Sequence, residues 1–255
     1  MRSRPAAGGG RWVDVDPARV ARWVEGFADR HGPSTCTPQE YGLLLTAPDG
    51  ATAELHAPPG VPGAELYAPP GVPGAELYAP PGVPAAELHA PPGVPGAADL
   101  DGFLAAVSRP RRIGLLLARK GAVAVGIAAG AKLVVSKVDT RYVQGRTAAG
   151  GWSQQRFARR RDNQAKAAVA DAVEVTVRLL LPEVPTLAAL VCGGDRRAVD
   201  AVLADRRLAP LSVLRAERLL AVPEPRHAVL LAAIPAARAV HVLVRDPDPD
   251  SPVKP

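Results

Sequence analysis

Cysteine is scarce: Cys36 and Cys192 are the only two in 255 residues. Two cysteines cannot make a disulfide scaffold, and their separation offers no metal-ligand spacing, so a reducing compartment is expected. An apolar leader is also missing. The opening residues, Met1 to Gly10, have arginines and glycines with no hydrophobic run behind them, so no secretory signal is expected. The most apolar stretch, Gly121 to Val135, is broken by Lys132 and falls short of the roughly 20 residues a bilayer span needs. A soluble, cytoplasmic protein without membrane contact is the expectation. His31, His227 and His241 have no cysteine or acidic partner at ligand spacing, and His56 and His89 stand where Tyr67 and Tyr78 stand in sister repeats. Ser153 has no nearby histidine to activate it. The Gly193-Gly194-Asp195 turn lacks the spacing of a dinucleotide fingerprint. No cofactor or metal is expected.

Proline and glycine, by contrast, are abundant, with 28 and 24 residues. Many belong to one array. Residues 53–96 read as four copies of an eleven-residue unit, AELHAPPGVPG, AELYAPPGVPG, AELYAPPGVPA and AELHAPPGVPG. Each unit holds three prolines, which remove amide donors and fix φ, so neither a helix nor a central strand can run through it. Extended, polyproline-like chain or a disordered insert is the expectation, with no partner identified. Each copy carries one glutamate and no lysine or arginine, so the positive balance of the chain lies elsewhere. Between Arg141 and Lys166, seven basic residues accompany a single Asp162, a local excess equal to the +6 of the whole chain. Charge concentrated in this way attracts polyanions, and nucleic-acid phosphate is the commonest.

Periodicity organises the rest. Asp16 caps a helix opened by Pro17 and followed by Val20, Trp23, Val24 and Phe27, and Gly32-Pro33 ends it. Tyr41 to Leu45 and Ala51 to Leu55 form a strand pair turning at Pro48-Asp49-Gly50. A short helix follows over Asp99 to Val107. Ile113 to Ala118, Ala122 to Ala128 and Lys132 to Val138 form a three-strand antiparallel meander. A loop from Thr140 to about Gly151 leads into a long helix from Ser153 to Leu181, with Phe157, Ala165, Ala168, Val169, Ala172, Val173 and Val177 on its buried side. Beyond it come a strand over Thr186 to Cys192, a helix through Ala198 to Leu203, a strand at Leu219 to Val222, a helix at Arg226 to Ile234 and a last strand at Ala239 to Arg245. This is the layout expected of an RNase H-like α/β domain. The expected organisation is one domain, its N-terminal part at 10–52 and its main part at 97–245, interrupted by the repeats at 53–96 and closed by a tail at 246–255.

Chemistry concentrates in the loop and the helix start. Gly145, Gly150 and Gly151 give a backbone free to approach another molecule closely. The helix N-terminus behind them favours phosphate or a developing anion. Arg156, Arg159 and Arg160 lie about one turn apart, and Trp152 offers a ring for stacking on a base or sugar. Gln154 and Gln155 cannot act as general acid or base at neutral pH, but an amide can orient water or donate to an oxyanion.

The stretch Arg141-Tyr142-Val143-Gln144-Gly145-Arg146, continuing through Gly150-Gly151-Trp152-Ser153-Gln154-Gln155-Arg156-Phe157 to Arg161-Asp162-Asn163-Gln164, resembles the actinobacterial Vms-like release factors, which are peptidyl-tRNA hydrolases. They are similar in turn to the catalytic middle domain of eukaryotic class I release factors, whose loop carries Gly-Gly-Gln. The Vms-like group has Gly-x-x-Gln, and Gly151-Trp152-Ser153-Gln154 matches it. The resemblance covers roughly residues 10–50 and 98–245. It implies release of a nascent peptide by hydrolysis of its ester to tRNA, on a stalled or split large ribosomal subunit. It also implies that Gln154 positions water or stabilises the transition state, that Gly150 and Gly151 let the loop enter the peptidyl-transferase centre, and that Arg156, Arg159, Arg160 and Arg161 hold RNA backbone. Arg146 and Trp152 complete the RNA-binding set, and Gln155 is the alternative working amide. Peptidyl-tRNA and the large subunit with its RNA are the implied partners. Some relatives are associated instead with cutting tRNA near its CCA end, an outcome the sequence leaves open. Two other readings stand beside this one. A metal-dependent RNase H-like nuclease would draw on Asp139, Glu174 and Asp195. A non-catalytic RNA-binding module would use the arginine face alone.

Overall fold

The computed structural model describes residues 3–40, 42–66, 97–119, 121–140 and 153–247, with residues 64, 97–99 and 153–162 described through their backbone alone. In chain order these form β1 (Ser3–Pro5), β2 (Arg11–Val15), α1 (Val20–His31), β3 (Thr35–Gln39), β4 (Gly42–Thr46), β5 (Thr52–His56), α2 (Gly63–Leu66), α3 (Ala97–Ser108), β6 (Arg112–Arg119), β7 (Ala122–Ala129), β8 (Lys132–Thr140), α4 (Ser153–Leu180), β9 (Ala189–Gly194), α5 (Arg196–Leu203), α6 (Ala209–Val213), β10 (Arg215–Leu220), α7 (His227–Arg238) and β11 (Val240–Arg245). The α/β character expected from the sequence is the one the chain adopts. The single domain is a correction: the chain divides into two compact units, Met1–Arg109 with Arg238–Pro255, and Pro110–Ala237. The physical reason is strand pairing, because β11 pairs with β2 and β5 and so belongs to a different sheet from β6 to β10.

The unit at 110–237 is built on a five-stranded sheet in the order β10-β9-β6-β7-β8. β6, β7 and β8 form the antiparallel meander, and β9 and β10 add in parallel on the other side of β6. Successive side chains of a strand point to opposite faces. Leu116 and Ala118 accordingly join a core with Val173, Leu180, Val199 and Val202 of α4 and α5, while Leu115 and Leu117 join another with Leu230 and Ile234 of α7. Helices on both faces explain why β6 and β7 are apolar almost throughout. Asp195 caps α5, its side chain accepting from Arg197 N at 3.0 Å. Gly194 has φ +99°, and a Cβ there would meet Ala118 O at 2.3 Å, so only glycine fits the crossing between β9 and β6.

The other unit carries a six-stranded antiparallel sheet in the order β1-β2-β11-β5-β4-β3. Val13, Val15, Leu43, Leu45, Ala53, Leu55, Val240, Val242 and Val244 face a core shared with Val20 and Phe27 of α1 and Phe103 and Val107 of α3. Asp16 caps the turn into α1, accepting from Ala18 N at 3.0 Å. The opposite sheet face holds Trp12, stacked on His241 with ring centroids 4.3 Å apart.

The repeat array also needs correction at its start. β5 occupies the first residues of the first copy, in accord with the strand expected up to Leu55, so the insert does not begin at residue 53. Pro58-Pro59-Gly60-Val61 then forms a type II turn, with Val61 N donating to Pro58 O at 3.3 Å and Gly60 at φ +82°. The second copy opens as the helical turn α2, where Leu66 is 1% exposed. Proline-rich sequence folds here because Pro-Gly suits the turn and alternate apolar residues reach the core. Residues 67–96 lie outside the described ones, as do those of the tail from 248 onward.

Candidate functional site

The stretch singled out by sequence joins β8 to α4. β8 is the edge strand of its sheet, and its last residues, Asp139 and Thr140, pair with Val123 and Ala122. α4 opens at Ser153 and continues unbroken to Leu180. Gln154, Gln155 and Arg156 therefore lie in its first turn, with Arg159, Arg160 and Arg161 in the next. Positions 156, 159 and 160 fall on one side of the helix backbone. The backbone carries these residues, and their side chains lie outside the described ones, as does that of Phe157. Arg146, Gly150, Gly151 and Trp152 also lie outside the described residues.

What the structure adds is how this helix is held. Ala172, Val173, Val175 and Leu180 are buried in the core, with Val169 and Val177 packed against it. None of residues 163–171 is buried. A cleft of about 260 Å³ lies between α4 and α5, walled by Ala165, Ala168, Val169 and Ala172 on one side and Ala198, Ala201 and Val202 on the other. Asp139, Asp171, Asp195, Arg119 and Arg197 also line it, with Asp139 next to the end of β8. Residues 153–164 precede every α4 residue that lines this cleft. At 1.5 Å per residue they make about 18 Å of helix, anchored through the second half of α4. Alanines form much of both walls, which is why this face reads as weakly apolar in the sequence.

The three carboxylates considered for a metal do not converge. Asp139 and Asp195 share the cleft, but Asp195 is the cap of α5 and Glu174 accepts from Arg207 Nη2 at 2.8 Å. Arg207 also binds Asp205 at 3.0 Å, and that guanidinium holds the Asp205 carboxyl below its ordinary value. Among the described residues no group of three or more His, Cys, Asp or Glu side chains could hold a metal ion. Cys192 is 1% exposed in β9, and burial pushes its thiol up to about 11, which leaves it neutral and inert at physiological pH.

Two histidines have partners that sequence spacing did not reveal. His31 Nδ1 lies 2.8 Å from Asp49 Oδ2, and His241 Nδ1 lies 2.6 Å from Asp14 Oδ1. Hydrogen bonds from Ala51 N and His31 hold the Asp49 carboxyl below its usual range. Each pair joins residues far apart in the chain, so no local signal could have found it. Both lie in the six-stranded unit, where they tie strands, turn and helix together.

Among solved structures, an archaeal translation termination factor, aRF1, is similar at 19% identity and a TM-score of 0.40, covering 49% of this chain and 34% of its own. A second archaeal protein is similar at 16% identity and a TM-score of 0.33, over 74% of this chain and 48% of its own. The chain thus spans about a third of the archaeal termination factor it matches. No curated protein matches it. Among the described residues no helix is long and apolar enough to cross a membrane. The family model of the Actinobacteria/chloroflexi VLRF1 release factor matches residues 111–243, from β6 through α4 and the alternating elements into β11, and the chain belongs to that release-factor family.

Proposed function

We propose that this protein is a peptidyl-tRNA hydrolase that frees nascent peptide from tRNA on stalled or split large ribosomal subunits in the cytoplasm. The observation that carries the reading is that α4 opens at Ser153, so that Gln154 lies in its first turn, in a chain of the release-factor family whose sequence reads Gly-x-x-Gln over 151–154. The meander, the long helix and the parallel additions beside β6 support the RNase H-like description of the unit that bears it.

In this reading Gly150 and Gly151 let the loop enter the peptidyl-transferase centre of the ribosome. Gln154 orients the attacking water or donates to the developing oxyanion, with Gln155 beside it as the second amide. The hydroxyl of water adds to the ester carbonyl, the bond to the ribose oxygen breaks, and the proton passes to that leaving oxygen. Arg146, Arg156, Arg159, Arg160 and Arg161, with Trp152, grip tRNA or ribosomal RNA through phosphate contacts and stacking. Such binding is steeply salt-dependent, whereas the water-positioning amide affects turnover.

The test is single-turnover release from a stalled large-subunit complex carrying labelled peptidyl-tRNA, with EDTA-washed protein. Free peptide with intact tRNA, lost in Gln154→Ala, supports ester hydrolysis centred on Gln154. Release unchanged in that variant moves the role to Gln155 or the backbone. A shortened tRNA would instead assign cleavage near the CCA end. Binding without either product would leave an RNA-binding module.

A further inference from the structure

The eleven-residue repeat takes no part in the proposed reaction. Two copies reach into the described residues, and their shared Ala-Glu-Leu adopts two backbones. In the first copy it is part of β5, where Leu55 is 1% exposed and Arg245 donates to Glu54. In the second it is the helical turn α2. There Leu66 joins the cluster of Phe103, Ala106 and Val107 from α3, and Arg109 Nη1 donates to Glu65 Oε2 at 3.2 Å. Both of these copies bury their leucine and pair their glutamate with an arginine.

The seat for α2 thus recognises one leucine and one glutamate on a short turn. Both recur, as Glu76-Leu77 and Glu87-Leu88, each following the same Pro-Pro-Gly-Val-Pro sequence that leads into α2. We propose that the α2 seat on α3 is filled interchangeably by the second, third and fourth copies of the repeat. The competing segments are tethered to the seat by the same chain, so each is present at high effective concentration. They differ mainly in loop length on either side, and closure depends only logarithmically on that length. The array therefore moves chain from one side of the docked copy to the other in steps of eleven residues while the leucine contact and the ion pair persist.

Thermal unfolding of the full chain tests this. Truncating a leucine this buried in a unique site lowers Tm by several degrees. Under exchange, Leu66→Ala alone leaves Tm nearly unchanged, because Leu77 or Leu88 takes the seat. The triple variant Leu66→Ala, Leu77→Ala, Leu88→Ala shows the full drop. A single Leu66→Ala as costly as the triple overturns the proposal, and so does a silent triple. Crosslinking serves as the second readout and does not depend on the triple folding. Arg109→Cys is combined in turn with Glu65→Cys, Glu76→Cys or Glu87→Cys under mild oxidation, with Pro80→Cys as the control. All three pairs are expected to close within one chain, well above the control. Closure at position 65 alone overturns the proposal, and covalent dimers from the other two would assign the seat to a second copy of the protein.

Discussion

The two sheets of this protein obey different rules of burial. In the five-stranded sheet, helices cover both faces, so neighbouring residues such as Leu115 and Leu116 are both fully buried although they point in opposite directions. In the six-stranded sheet one face meets α1 and α3, so Leu43 is buried while its neighbour Leu44 is only half-buried. The difference teaches that a strand's apolar pattern reports how many faces are covered. It also separates the chain: the doubly covered sheet carries α4, with Gln154 and Gln155 in its first turn, and the other is assembled largely from the two ends of the chain.

The largest effect that would sharpen this division is chemical. Gln154→Ala is expected to slow single-turnover release by about 10²- to 10³-fold, the scale for losing one transition-state donor. Tm should not move, and a parallel fall in Tm would turn a catalytic role into a structural one. Next come the leucine pairs, measured by urea unfolding. Leu115→Ala and Leu116→Ala should each cost about 2–5 kcal/mol. Leu43→Ala belongs in the same range, but Leu44→Ala should cost no more than about 1 kcal/mol. Equal losses at 43 and 44 would show that the second face of the six-stranded sheet is covered as well.

A smaller effect concerns acid. The hydrogen bonds to Asp49 depress its folded pKa, so the stability it contributes is present above its ordinary value of 3.8 and is lost as pH falls through the lower folded value. Asp49→Asn should therefore flatten the acid limb of a Tm-against-pH curve below that point, and an unchanged limb would refute the assignment. Smallest is a labelling contrast. Cys36 lies in the edge strand β3 and Cys192 in β9, between β10 and β6. A thiol reagent on the native protein should modify Cys36 first, and the reverse order would mean that the doubly covered sheet opens more readily.

Local signals marked most of the doubly covered unit, though not α6. The Gly-containing turns after Ala118 and Ala128 mark the meander, the 3.6-residue pattern marks α4, and Gly193-Gly194-Asp195 marks the step into α5. The strand expected at Leu219 to Val222 lies earlier, at Arg215–Leu220, because its parallel pairing with β9 is interrupted between Arg215 and Leu219. β1, β2 and β3 were not legible at all. They are short or polar, β3 contains Pro38, and β2 finds its partner β11 at the far end of the chain. The Gly-x-x-Gln string was legible as residues, and the structure adds that Gln154 and Gln155 lie in the first turn of a helix whose second half is buried in the core.

The sequence by itself determined the helix caps, the turns and the meander, because each rests on residues within a few positions of one another. Only the tertiary structure decided that β11 closes the six-stranded sheet and that His31 and His241 meet aspartates. It also decided that one Ala-Glu-Leu is a strand at 53–55 while the next is a helical turn at 64–66. Those outcomes depend on which distant surface accepts a leucine and a charge, and identical tripeptides carry no information about that surface.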